Sequence, residues 1–298
     1  MAKTALVLRA TGAQGVGVTK ALLKASWTVH ALVRDPEDGR ALALKNIGAT
    51  LKQGDLSEPS SIEAAIQGCN ALFLNQMPTP KDGAEAAEAA AIIDIANKAG
   101  VKHVVHSTTL PLNDPNVKEH LKGQSLAFAI LGKGDVEDLV RASGLTWTII
   151  RPGFFNTNFI APLVGKMFPD LLQGKFINSY GPDKPLPLVD PDDIGAFVAA
   201  AFQDPERFAG KIVNVVSEFE PVPYIIDEIE KASGKKVEVH YRTDEENEEE
   251  GKKNVMVAGQ KTTVGLERFV DMDEVRSWGI PLTTLGEFLK KHKDAVVP

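Results

Sequence analysis

Short apolar runs recur along the first half of the chain, separated by longer stretches in which apolar and polar residues mix at helical spacing. Thr4-Ala5-Leu6-Val7-Leu8 is one such run, and Val16 to Ala25 follows it with helical character. The pair predicts a buried strand feeding a helix. Thr28 to Val33 is a second β-rich run, ending in Arg34-Asp35-Pro36. There Asp35 reads as the N-cap of the next helix and Pro36 as its first residue. The alternation continues with a strand at Ala49 to Gln53 that ends in Gly54-Asp55-Leu56, a helix at Pro59 to Gln67 and a strand at Ala71 to Leu74. An alanine-rich helix from Gly83 to Ala99 comes next, then a strand from His103 to Ser107, a helix from Gly134 to Ala142 and a strand from Thr146 to Ile150. Strands and helices alternating in this way imply right-handed crossovers and a mainly parallel sheet covered on both faces.

Beyond Arg151 the rhythm loosens. Proline and glycine cluster between 181 and 191, a strand is expected at Lys211 to Val215, and helices at Val222 to Ala232 and Thr284 to His292. The 298 residues therefore divide into an α/β domain at 1–151 and a smaller C-terminal α/β lobe at 152–298, some of whose strands rejoin the main sheet. Asp244 to Glu250 is an acidic run that reads as a solvated helix or loop.

Composition narrows the function. A net charge of −7 disfavours a broad nucleic-acid surface, which needs clustered Lys and Arg. No apolar run approaches the roughly 20 residues that span a bilayer, so no membrane insertion is expected. The chain passes into a strand pattern after Lys3 without a secretory signal, and Cys69 is its only cysteine. These features fit a reducing compartment, the cytoplasm with a nuclear pool left open. Cys69 itself reads as a buried small hydrophobe. Whether the chain is a monomer or a homodimer is left open.

The turn after the first strand carries the first candidate chemistry. Arg9-Ala10-Thr11-Gly12-Ala13-Gln14-Gly15 sits at a strand-to-helix junction, where helix N-terminal N–H groups can cradle a pyrophosphate. In a Gly-x-x-Gly-x-x-Gly spacing the first glycine makes the tight turn, and here that position is Arg9. Gly12 and Gly15, the pyrophosphate-facing and helix-packing positions, are retained. An arginine at the turn either adds a cation over the diphosphate or fills the site it guards. The expected fold is thus α/β, a doubly wound, mainly parallel Rossmann sheet with a smaller C-terminal α/β substrate lobe.

Arg34 ends the second strand, where an NAD-specific protein would place a carboxylate against the ribose 2′-OH. A guanidinium suits a 2′-phosphate, so NADP(H) is the expected cofactor, although a surface arginine beside a helix start would look the same. Asp55 and Leu56 follow the third strand, where an adenine edge would sit, and Asn75 and Gln76 follow the fourth, near the expected ribose and nicotinamide. All four lie at carboxyl ends of strands, the edge at which such sheets bind ligands.

Taken together the chain resembles the NmrA-like family of atypical short-chain dehydrogenase/reductases, which includes redox-sensing regulators and NADPH-dependent quinone and dye reductases. The carriers are Ala10 to Gly15, Val33-Arg34-Asp35-Pro36, Gly54-Asp55-Leu56, Lys133-Gly134-Asp135-Val136-Glu137, Arg151-Pro152-Gly153-Phe154-Phe155-Asn156 and Leu282 to Phe288. The resemblance implies that Lys133 contacts the nicotinamide ribose and is the candidate catalytic residue, and that Phe154, Phe155 and Asn156 line the nicotinamide side. Read from the residues alone, Lys133 would be a cation at a helix N-terminus, which the helix dipole disfavours.

The ordinary Tyr-x-x-x-Lys acid/base pair is missing: Ala129 stands four residues before Lys133. A literal Tyr180-to-Lys184 match contains Gly181-Pro182, so no helix stacks its two side chains. There is no Gly-x-Ser-x-Gly elbow and no His-Glu-x-x-His, and His103 and His106 point to opposite strand faces, so neither a hydrolase nor a metal site is indicated. Ser107-Thr108-Thr109, after the fifth strand, is expected to cap or to hydrogen-bond a turn. The leading expectation is an NADP(H)-binding oxidoreductase acting on a small carbonyl, quinone or conjugated compound. Alternatives are a non-catalytic NADP(H) redox sensor that controls a regulatory protein partner, and a cofactor-independent isomerase, lyase or scaffold on the same fold.

Overall fold

The structure, a computed structural model, describes residues 3–81 and 83–297. Its elements begin with β1 (Thr4–Val7), α1 (Ala13–Lys24), β2 (Thr28–Val33), α2 (Gly39–Asn46), β3 (Thr50–Gln53), α3 (Pro59–Ala65), β4 (Ala71–Leu74), α4 (Ala84–Lys98) and β5 (His103–Ser107). The helix Ala127–Ala142 and β6 (Thr146–Pro152) continue the alternation. All residues of β1, β4 and β5 are buried, as uninterrupted apolar runs require when helices cover both faces of a parallel sheet.

Seven strands form one sheet, in which the strand Lys211–Val215 lies at the edge beyond β6 and the order continues β5, β4, β1, β2, β3. The pairings among β1 to β6 are parallel. Val7 pairs with Ala31 on one side and Phe73 on the other, so strand order reverses at β1. The crevice outside the carboxyl ends of β1, β2 and β4 is the topological switch point of a Rossmann-type sheet.

The chain forms two compact units. One comprises Met1–Thr109, Phe128–Pro152 and Pro191–Val213, the other Leu110–Ala127, Gly153–Asp190 and Asn214–Pro298. In the first, the helix Pro191–Gln203 crosses α1 with its glycine against a glycine. A Cβ on Gly17 would run into the Pro191 backbone, and one on Gly195 into the Gly17 backbone. Only a glycine crossing allows axes this close.

The start of α2 corrects one expectation. Asp35 does not cap it; Asp38 does, accepting a hydrogen bond from the Arg40 backbone N–H at 2.8 Å. Asp35 is committed to its own turn, with its carboxylate accepting from Glu37 N–H at 2.9 Å. That Asx-type turn delays the helix by three residues.

The second unit is built around aromatic residues. Phe159 stacks on Phe168 with ring centroids 5.5 Å apart, and Phe176, Tyr180 and Phe288 are buried in the same cluster. Around it lie a three-stranded sheet, in the order Glu218–Pro221, Pro185–Val189, Phe154–Phe155, and a parallel pair, Lys175–Asn178 with Glu238–Tyr241. The acidic run is a helix, Asp244–Gly251, with no buried residue and a capping box between Thr243 and Glu246. Among the described residues no helix is long and apolar enough to cross a membrane. Nor does any group of three or more His, Cys, Asp or Glu among them assemble to hold a metal ion.

Candidate functional site

The turn from β1 into α1 is closed by the Gly12 N–H donating to the Arg9 carbonyl at 2.9 Å. Arg9 has φ +49°, the left-handed region that a glycine enters without strain. Gly15 is required by packing: a Cβ there would collide with the Arg9 carbonyl oxygen and the Ala10 backbone. At Gly12 such a Cβ would meet only the Arg9 oxygen, at 3.3 Å. Helix α1 starts with no side-chain cap and no acidic residue in its first turn. Its leading N–H groups and the positive end of its dipole are thus available to an anion.

A cavity of about 320 Å³ opens beside this turn. Arg9, Thr11 and Gly12 form one wall, Leu32, Val33 and Arg34 at the end of β2 another, and Gly54, Asp55 and Leu56 after β3 a third. Arg40, Met77 and Glu88 complete it. Six of the lining residues, Arg9, Thr11, Gly12, Arg34, Asp55 and Leu56, are ones the sequence had already assigned to the cofactor. Burial, together with the neighbouring Arg34 charge, holds the Arg9 pKa below its ordinary value, while Glu88 opposes the shift. Asp55 is held below the usual carboxylate range by hydrogen bonds from Ser57, through the backbone N–H at 3.0 Å and the hydroxyl at 2.7 Å.

Arg40, Met77 and Glu88 escaped the sequence reading. Arg40 lies in the first turn of α2, six residues after Arg34, and its Asp-x-Arg spacing from Asp38 was the available signal. Its guanidinium is chelated by that carboxylate at 2.7 and 3.0 Å. Glu88 is an α-helical carboxylate in an alanine-rich run, where nothing in the pattern separates a wall of a cavity from a solvated face.

Lys133 overturns a second expectation. It sits in the middle of the helix Ala127–Ala142, not at an N-terminus, because the helix begins seven residues earlier than the expected Gly134. Nor is it a solvated lysine: it is 6% exposed, ion-paired with Glu85 and donates to the Gln76 carbonyl at 2.7 Å. Burial lowers its pKa, and Glu85 pulls the other way. Three ammonium donors meet two acceptors, which leaves one N–H. Gln76 in turn donates to the Glu85 carbonyl at 3.0 Å and to the Glu88 carboxylate at 2.6 Å, so one network joins the cavity wall to Lys133. Gln76 Oε1 and Glu85 Oε2 remain buried without a partner in it.

Asn75 is buried at the end of β4 and Gln14 accepts from the Ser107 hydroxyl, so Ser107 braces the turn. Thr108 donates to Glu137 at 2.9 Å, and Glu137 also receives Arg141 and Arg151 at 2.6 Å each. In the second unit the Phe154 ring packs on Phe159, Phe168 and Tyr180. Phe155 is half-buried, and Asn156 is wholly buried with neither amide atom hydrogen-bonded. Tyr180 is 3% exposed in that core, where burial raises its phenol pKa, and it lies outside any helix.

The sheet order and the anion-ready helix terminus at its switch point define a Rossmann-type α/β protein. Residues 1–289 match the NmrA-like family, and the chain belongs to it. It is 30% identical over 251 residues to the NmrA-like family domain-containing oxidoreductase FrzB of Cladobotryum sp, covering 77% of this chain and 73% of that protein. It is 31% identical over 205 residues to the NAD(P)H azoreductase of Xenophilus azovorans, covering 67% and 63%. Among solved structures it is similar to the Escherichia coli NADPH-dependent quinone oxidoreductase QOR2 complexed with NADPH, with a TM-score of 0.72, 23% identity and coverage of 97% and 99%. It is also similar to the negative transcriptional regulator NmrA in complex with NADP, with a TM-score of 0.73, 21% identity and coverage of 97% and 95%.

Proposed function

We propose that the protein is an NADP(H)-dependent oxidoreductase that reduces a small carbonyl, quinone or conjugated compound. The observation that carries this is the cavity at the switch point, where Arg9 and Arg34 flank an uncapped helix N-terminus. Anionic ligands are favoured there by both charge and free N–H groups. The first-turn N–H groups of α1 would hold the diphosphate where it approaches the Gly12 backbone, Arg34 the 2′-phosphate, and Asp55 and Leu56 the adenine edge. Met77 and Glu88 would close the cavity from the α4 side. The oxidoreductase FrzB and the NAD(P)H azoreductase support a redox reading of the same kind.

When bound, NADPH supplies the hydride. The chain supplies position and charge. Lys133, held by Glu85 and Gln76, keeps one N–H for a ligand hydroxyl and a fixed positive charge near the end of β4. Phe154, Phe155 and Asn156 are assigned to the nicotinamide side, and the second unit to the substrate. The proton that accompanies hydride does not come from Tyr180, whose phenol is sealed in an aromatic core. That same absence favours a second reading, an NADP(H) sensor that binds without turnover and acts on a partner protein.

Steady-state oxidation of NADPH, followed by absorbance against a panel of quinones, azo dyes and enones, tests the choice. Turnover with at least one acceptor is expected. Tight NADPH binding with no turnover across the panel replaces the reductase with the sensor.

A further inference from the structure

Arg9 combines two unfavourable features at one position. Its backbone occupies the left-handed region at φ +49°, where a glycine would be unstrained. Its guanidinium is drawn into the cavity beside a second cation, Arg34. A residue that sacrifices both backbone ease and solvation is held there by what it will face.

The charges around the cavity show where that is. Arg40 is already chelated by Asp38, and Asp55 is satisfied by Ser57. Glu88 is held by Gln76, with Arg9 close enough to feel its charge. Among the described residues neither Arg9 nor Arg34 has a carboxylate within ion-pair distance. The diphosphate's needs are met by backbone N–H groups at the start of α1, whereas the charge that bears most on Arg9 is that of Arg34, at the end of β2. A dianion placed between two guanidiniums turns their repulsion into two charge-assisted contacts.

We propose that Arg9 is a specificity residue, a second guanidinium that clamps the cofactor's 2′-phosphate together with Arg34. The inference rests on the NADP(H) reading given above. The arginine in place of the first turn glycine thereby converts a generic diphosphate turn into one that also reads the 2′-position.

The test is calorimetric titration of the full chain with NADP⁺ and, separately, NAD⁺, for the wild type, Arg9→Gly and Arg9→Gln. Glycine is the residue that φ +49° favours, so Arg9→Gly folds with a relaxed turn. Both variants are expected to bind NADP⁺ at least about tenfold more weakly while NAD⁺ affinity changes by less than about threefold, as loss of one charge-assisted phosphate contact predicts. An equal loss for both dinucleotides would place Arg9 on the diphosphate and overturn the proposal. No loss for either would make Arg9 a bystander and overturn it too. A wild type that binds neither dinucleotide sinks the cofactor reading itself, an outcome separate from both.

Discussion

Lys133 and Glu85 form an ion pair closed off from solvent, with side chains 7% and 4% exposed. The lysine reaches it from the middle of one helix and the carboxylate from the first turn of α4. Each charge is tolerable only because the other is present. Lys133→Met or Glu85→Gln alone strands a charge or a committed donor and is expected to lower stability by about 3–5 kcal/mol. The double variant should recover more than half of that loss, because it leaves no uncompensated charge. Urea denaturation of the four proteins measures the cycle, and additive losses would show that the pair is not coupled.

The helix crossing at Gly17 and Gly195 makes a sharper stability test. A methyl group on Gly195 meets backbone atoms of α1 that cannot swing aside. Gly195→Ala should therefore destabilise by roughly 1–3 kcal/mol or more. Gly39→Ala is the control: nothing lies within 4 Å of a Cβ at the first position of α2. There the better helix former should be neutral or stabilising by up to about 1 kcal/mol. If the two variants melt together, close helix packing is not what Gly195 provides.

The strands of the sheet were legible because a doubly covered parallel strand leaves an unbroken apolar run. β2, β4 and β5 span the residues the pattern marked. The cavity's Arg9, Gly12, Arg34, Asp55 and Leu56 were legible for a related reason, since strand ends at one edge of such a sheet face one crevice. Lys133 was misplaced because Ala127 to Gly132 contains two residues, Phe128 and Gly132, that blur helical periodicity, and tertiary packing extended the helix through them. Its partner Glu85 was unreadable. A glutamate in an alanine-rich helix has no local mark of burial, and pairing across 48 residues is a property of the fold. The strand Pro185–Val189 was hidden by its two prolines, which the sheet tolerates beside short partners.

Cys69 offers a probe of the same core. It is 3% exposed, its sulfur lies 3.3 Å from His30 Nδ1, and burial pushes its thiol pKa up to about 12. A thiol, not a thiolate, buried in this way is inert. Reaction with Ellman's reagent at pH 8 should be slower in the native protein than in about 8 M urea by roughly a thousandfold or more, the population ratio that marginal stability sets for opening. Rapid labelling of the folded chain would show that α3 and β4 part far more easily than their packing implies.

Acid sensitivity should come from His103 and His106. His103 Nε2 donates to Thr148 Oγ1 at 2.9 Å, and that hydroxyl in turn donates to the Phe208 carbonyl at 2.9 Å. His106 Nδ1 donates to the Leu74 carbonyl at 3.0 Å. In each ring the other nitrogen is buried without a partner, so a second proton would arrive where nothing accepts its hydrogen bond. Burial brings His103 down to about 4, and burial with the nearby Lys133 charge brings His106 down to about 3. Both folded-state values lie below that of the unfolded chain, so between them and about 6.5 the unfolded chain binds more protons. The stability from keeping these rings neutral is complete above pH 6.5 or so and is lost as pH falls, by about 2 kcal/mol per histidine at pH 5. Urea midpoints should drop accordingly between pH 7.5 and 5, before the carboxylates with lowered pKa values begin to protonate. His103→Gln with His106→Asn keeps the two donors and removes the titration, so the double variant should be nearly flat over that range. An equally steep fall in the variant would place the acid response elsewhere in the chain.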